Sequence, residues 1–182
     1  MIRSMSAAAA VAAAAVAAAV LLAPGVAAAQ VGSVDLDRFD GRWFEIERSP
    51  NDVQKTCWRA QIDFTAQQRA GRYGVLVSCT RTRGGPVETL RANARATDDS
   101  NAKLRFTLTG LLGIGGLAGQ NYWIWDRDPN YRWAILALPD RSDWWIWHRD
   151  RDVSQAERTR LLARARALGM DTRRVVRTPP AD

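Results

Sequence analysis

The feature that most limits what this chain can fold into is its punctuation. From Arg42 to Arg149 it runs as short stretches separated by turn-forming clusters at regular spacing. Ala70-Gly71, Gly84-Gly85-Pro86, Asp98-Asp99-Ser100-Asn101, Gly113 to Gly116, Asp128-Pro129-Asn130 and Pro139-Asp140 are each suited to reversing the backbone. The runs between them predict eight strands, near Arg42 to Arg48, Cys57 to Phe64, Tyr73 to Arg81, Val87 to Ala96, Lys103 to Thr109, Asn121 to Asp126, Arg132 to Leu138 and Trp144 to Arg149. Such a series describes an all-β sandwich or barrel, and connections this short favour an antiparallel meander over a Greek key.

Alternation assigns faces within the strands. Leu104, Phe106 and Leu108 share one face, and Arg105, Thr107 and Thr109 the other. Ala92, Ala94 and Ala96 alternate with Arg91, Asn93 and Arg95, so one strand buries only small side chains. A sandwich core would fill that face with Val, Ile or Leu. Space beside it instead suits a ligand cavity inside an eight-stranded barrel, unless large tryptophans opposite fill the gap. After the strands, Ser154 and Glu157 form a capping box and Gly169 sits where a C-terminal cap belongs. Leu161, Leu162, Ala165 and Leu168 give the intervening helix one apolar stripe, enough to dock on its own barrel. A short final strand is expected from Arg174 to Arg177.

The first 29 residues read as a cleaved signal peptide: Met1-Ile2-Arg3, an apolar run from Ala7 to Leu22, and Ala27-Ala28-Ala29 before Gln30. Residues 30–182 then form one domain in the periplasm or outside the cell. Gln30 follows the cleavage point where a lipid anchor would need cysteine. Arg3 is the only charged side chain before Gln30, so of the formal +7 the domain keeps +6. This arginine-rich excess alternates with apolar residues rather than clustering, which suits a solvated surface and peripheral contact with anionic membrane better than nucleic-acid binding. His148 is the single histidine, too few ligands for a zinc site. Cys57 and Cys79 invite a disulfide across the Ala70-Gly71 turn in an oxidising compartment. Simple alternation puts them on opposite faces, a conflict that a bulge, or Cys57 preceding its strand, would remove.

Three local patterns carry a family resemblance. Gly41-Arg42-Trp43 resembles the first lipocalin signature, Gly-x-Trp at the start of the first strand. Asp128-Pro129-Asn130-Tyr131 is similar to the second, without its usual Thr-Asp-Tyr, and Arg149 after Trp145-Ile146-Trp147-His148 matches the third. The likeness spans Val34 to Pro179 and is nearest to the bacterial lipocalins related to apolipoprotein D. It implies an eight-stranded antiparallel up-and-down barrel with one C-terminal helix outside.

The resemblance also implies an inner face. Gly41, Trp43, Tyr131 and Arg149 become structural signature positions, with Arg149 laid over the Trp43 indole. With Trp43 inward, alternation takes Glu45 and Glu47 inward too. The family phase puts Tyr122, Ile124 and Asp126 inside, then Trp133, Ile135 and Ala137, then Trp145 and Trp147. The ligand-binding candidates are therefore Glu45, Ile62, Phe64, Ala94, Phe106, Tyr122, Ile124, Ile135, Trp145 and Trp147. Glu45 either orients a ligand head group or bonds internally to Tyr122 or an arginine. The implied function is a carrier of a small hydrophobic or amphipathic ligand, such as a fatty acid or lysophospholipid, with no cofactor, metal or catalytic residue. Two alternatives stand beside it: a thiol-dependent isomerase using Cys57 or Cys79, and a filled barrel acting as a protein-interaction module.

Overall fold

The structure is a computed structural model and describes residues 31–68, 71–109 and 119–179. The signal-peptide expectation and the Gly113 to Gly116 turn lie outside the described residues. A short helix α1 (Leu36–Phe39) precedes β1 (Gly41–Arg48), β2 (Arg59–Ala66), β3 (Arg72–Thr80), β4 (Val87–Ala96), β5 (Lys103–Leu108), β6 (Gln120–Arg127), β7 (Trp133–Ala137) and β8 (Trp144–His148). Helix α2 (Gln155–Ala167) and a two-residue strand β9 (Val176–Arg177) follow. Every neighbouring strand pair is antiparallel, and β1 pairs with both β2 and β8, which closes the sheet into a barrel. The predicted meander is the observed topology.

The interior separates into two apolar bodies. One lies inside the barrel and includes Trp43, Phe64, Ala94, Leu104, Ile124, Leu136 and Trp147. The other lies between the barrel wall and α2 and includes Ile46, Trp125, Trp133, Ile135, Ile146, Leu161 and Ala165. The Ser154 hydroxyl accepts from the Glu157 amide at 3.2 Å to start α2, and Gly169 at φ +87 lets the chain turn off its end.

Two bulges overturn part of the expected phase. The β1–β8 register shifts between Glu45 and Glu47, so Glu45 pairs with inward Trp147 while Glu47 pairs with outward Ile146. Glu47 therefore faces α2 and β9, where it bonds Arg158 at 3.3 Å and Arg177 at 3.0 Å, and does not enter the barrel. The bulge also frees the Ile46 carbonyl, which accepts from Arg158 Nη1 at 2.6 Å and from the Thr178 amide at 3.1 Å. That is how the helix and β9 are fastened to β1.

The second shift lies between Ile124 and Asp126 on β6. Ile124 opposite Leu136 remains inside, whereas Asp126 opposite Ile135 turns outward and bonds Arg164 of α2. The expected inward set Trp133, Ile135 and Ala137 is the outward set, packed under α2, since Leu136 pairs with inward Ile124 and Ala137 with outward Trp123. Ile135, a ligand-contact candidate, is fully buried on the wrong side of the wall. Simple alternation has no means of counting the extra residue.

Candidate functional site

The barrel is closed at one end. There Phe39 of α1 inserts as a plug, with ring centroids 4.6 Å from Trp43 and 5.3 Å from Phe64. Trp43 donates its indole N–H to the Phe39 carbonyl at 2.8 Å, which locks plug to wall. Arg149 lies over the outer side of Trp43, and Tyr131, at φ +59, accepts from the Asp35 amide at 2.7 Å through its hydroxyl. The four signature residues, Gly41, Trp43, Tyr131 and Arg149, thus all serve the closed end.

Above the plug the interior is aromatic. Phe64 of β2 meets Phe106 of β5 with centroids 5.9 Å apart, although β3 and β4 separate those strands in the sheet. They meet because the wall between them is small: Ala94 sits between Tyr73 and Phe106 in the register and is only 1% exposed. Trp147 packs on Phe64 at 5.8 Å, Tyr122 on Phe106 at 4.8 Å and Trp145 on Tyr122 at 5.2 Å. The alanine gap is therefore filled at this level by rings, and they form the floor of the remaining space.

Burial falls toward the other end. Inward-facing Val77, Leu90, Leu108, Tyr122 and Leu138 are all only partly buried, while Val75, Ala92 and Ile124, one step deeper on three of the same strands, and Leu104, two steps deeper on a fourth, are buried. Among the described residues, that gradient marks this end as the less enclosed one, an apolar cup above the aromatic floor.

Residues 49–58 cross one side of that mouth. The Gln54 amide donates to Asn51 Oδ1 at 2.9 Å, which shapes the turn, and its side chain donates to Glu45 at 2.8 Å while accepting from Trp145 Nε1 at 2.6 Å. Arg48 donates to Glu45 at 2.6 Å and to the Gln54 and Cys57 carbonyls at 2.9 and 3.0 Å. Thr178 supplies a further donor at 3.3 Å. Burial pushes the Glu45 carboxyl above its ordinary value, against the pull of Arg48 and these hydrogen bonds. Cys57 and Cys79 form a disulfide that pins this segment to β3. Cys57 precedes β2, which removes the conflict of faces.

Of the sequence-nominated residues, Glu45, Ile62, Phe64, Ala94, Phe106, Tyr122, Ile124, Trp145 and Trp147 converge on the barrel interior, and Ile135 does not. Val77, Leu90, Leu108 and Leu138 were missed, although alternation from Val75, Ala92 and Phe106 pointed to the first three. Arg48 was missed because only the bulge turns it inward, and Gln54 because a loop residue belongs to no period.

A closed antiparallel barrel with a plugged base, an apolar cup and a helix on its flank is the architecture of a small-molecule-binding β-barrel. The lipocalin-like domain model matches residues 34–180, and the chain belongs to the lipocalin family. It is 26% identical over 155 residues to temperature-induced lipocalin-1 of Arabidopsis thaliana, covering 84% of this chain and 82% of that protein. Its fold is similar to that of insecticyanin from the tobacco hornworm Manduca sexta, with a TM-score of 0.64 at 15% identity over 85% of each chain. Lobster apocrustacyanin A1 superposes with a TM-score of 0.62 at 10% identity, over 87% of this chain and 93% of that one.

Proposed function

We propose that this lipocalin binds and carries a small hydrophobic or amphipathic molecule in its cup. The carrying observation is the burial gradient: apolar side chains that face inward yet remain partly exposed form a surface that an acyl chain would remove from water. Each methylene buried there contributes about 0.8 kcal/mol. A fatty acid or a lysophospholipid suits that wall, in keeping with a place among the bacterial lipocalins related to apolipoprotein D. Export by cleavage after Ala29 places the protein where its disulfide persists. Val53 and Val87, 81% and 60% exposed in the 49–58 segment and at the start of β4, together with the net basic charge of the domain, support peripheral contact with an anionic membrane during loading.

The isomerase alternative lacks its nucleophile, since both cysteines are consumed in the disulfide and no free cysteine occurs among the described residues. The filled-barrel alternative fits the floor but not the partly exposed wall above it. Native mass spectrometry of protein purified from its own host tests the carrier reading. A co-purifying lipid-sized adduct is expected. An adduct-free protein that also takes up neither palmitate nor lysophosphatidylcholine would overturn it.

A further inference from the structure

Resting on that carrier reading, we infer that Tyr122 is the group that reads the ligand's polar end, and that it selects an uncharged acceptor, an ester carbonyl, over a free carboxylate. The inner wall offers few polar atoms, and nearly all are used within the protein. Glu45 is saturated by Arg48, Gln54 and Thr178. The Trp145 indole N–H is given to Gln54, and the Tyr73 hydroxyl to Asp37 at 3.4 Å. Trp147 Nε1 and Arg48 Nε are also without a partner, but both atoms are fully buried.

Tyr122 differs from all of these. Its ring is held edge-on between Phe106 at 4.8 Å and Trp145 at 5.2 Å, so its direction is set, and its hydroxyl has no hydrogen-bond partner among the described residues. It is a fixed donor without an acceptor in an otherwise apolar cup. An acyl chain lying on the floor leaves its oxygen at the mouth, where this hydroxyl is available to it.

The sign of the acceptor follows from the neighbours. Burial, and after it the charge of Asp143 in the turn before β8, raises the pKa of the Tyr122 phenol, which keeps its proton on. Asp143 accepts from the Ser49 hydroxyl at 3.3 Å beside the mouth segment and feels the charges of Asp140 and Asp52, so three carboxylates act on this side of the mouth. The guanidinium that would offset a second carboxylate, Arg48, gives Nη1 to Glu45 and Nη2 to two carbonyls, and its remaining Nε–H is buried. A carboxylate arriving beside Tyr122 is repelled, whereas an ester carbonyl keeps the hydrogen bond without the repulsion. An acyl ester such as a lysophospholipid therefore fits better than a fatty-acid anion.

The test is tryptophan-fluorescence titration of wild type, Tyr122→Phe and Asp143→Asn with methyl palmitate, palmitate and hexadecane, three probes sharing one chain. Wild type is expected to bind the ester at least tenfold more tightly than the anion. Tyr122→Phe loses about tenfold for the ester and nothing for the alkane, the worth of one hydrogen bond. Asp143→Asn gains affinity for palmitate. An equal loss for all three probes in Tyr122→Phe, or a wild-type preference for palmitate, overturns the assignment while leaving the carrier intact. Binding of none of the probes by wild type overturns the carrier reading itself.

Discussion

The guanidinium of Arg149 lies 3.8 Å from the centroid of the Trp43 ring while Nη1 donates to the Arg42 carbonyl at 2.8 Å and Nη2 to those of Arg38 and Asp40 at 2.9 Å each. One side chain thus ties α1, the start of β1 and the end of β8 together beneath the plug. An ammonium cannot match that planar fork, so Arg149→Lys is expected to lower unfolding free energy by about 2 kcal/mol in a urea titration. Ligand affinity stays unchanged, because the pair lies on the far side of the aromatic floor. A variant as stable as wild type would show that the plug holds without the clamp.

The closed end was legible because its residues carry local identity: Gly41, Trp43 and Arg149 can be recognised one by one in the sequence. The helix was legible from Ser154, Gly169 and one apolar stripe. What was lost sits downstream of the two bulges. Asp126 and Glu47 keep the alternation of their strands on paper, yet an inserted residue turns each outward, and the misreading propagates to Ile135 on the paired strand. The open cup was also misplaced by one layer. Ala94 marks where rings from distant strands meet, a contact between Phe64 and Phe106 that no pattern within a single strand encodes.

The single histidine gives a clean pH signal. His148 is 6% exposed, its Nδ1 accepts from the Asp150 amide at 2.8 Å, and burial lowers its pKa below the ordinary 6.5 despite the opposing charges of Asp150 and Glu157. As pH falls, the unfolded chain therefore takes up this proton before the folded protein does. The stability contributed by neutral His148 is complete above 6.5 and is lost as pH drops toward the folded value. An NMR titration of the one imidazole resonance is expected to show a midpoint below 6.5, and His148→Gln to flatten that part of the acid limb. A midpoint above 6.5 would contradict the burial argument.

Linking residues 22 apart, the Cys57–Cys79 disulfide restricts the unfolded chain and holds the segment whose carbonyls receive Arg48. Replacing both cysteines with serine is expected to cost about 3 kcal/mol of unfolding free energy. It should also raise hydrogen exchange at Gln54 and Cys57 more than at Ile124 on the far wall, because only the first two belong to the released segment. Uniform exchange across the barrel would mean that the bond stabilises without anchoring the mouth.

The last prediction separates the two depths of the barrel with a pair of enlargements. At Ala94, already 1% exposed and enclosed by Tyr73 and Phe106, phenylalanine has no room: it is expected to overpack the floor and cost about 1 to 3 kcal/mol of stability. At Leu108, which faces the cup near the mouth and remains partly exposed, the described residues leave tryptophan more room. Leu108→Trp should therefore keep or slightly raise stability, since added apolar surface leaves water. It should also reduce affinity for methyl palmitate at least tenfold, about 1.4 kcal/mol, by occupying the ligand's volume. Urea unfolding and fluorescence titration on both variants give four numbers, and only one pattern fits a cup above a filled floor: stability lost at Ala94, affinity lost at Leu108. If Ala94→Phe instead leaves stability intact and abolishes binding, the open space lies along the alanine strand, and the rings seen meeting there part to admit the ligand.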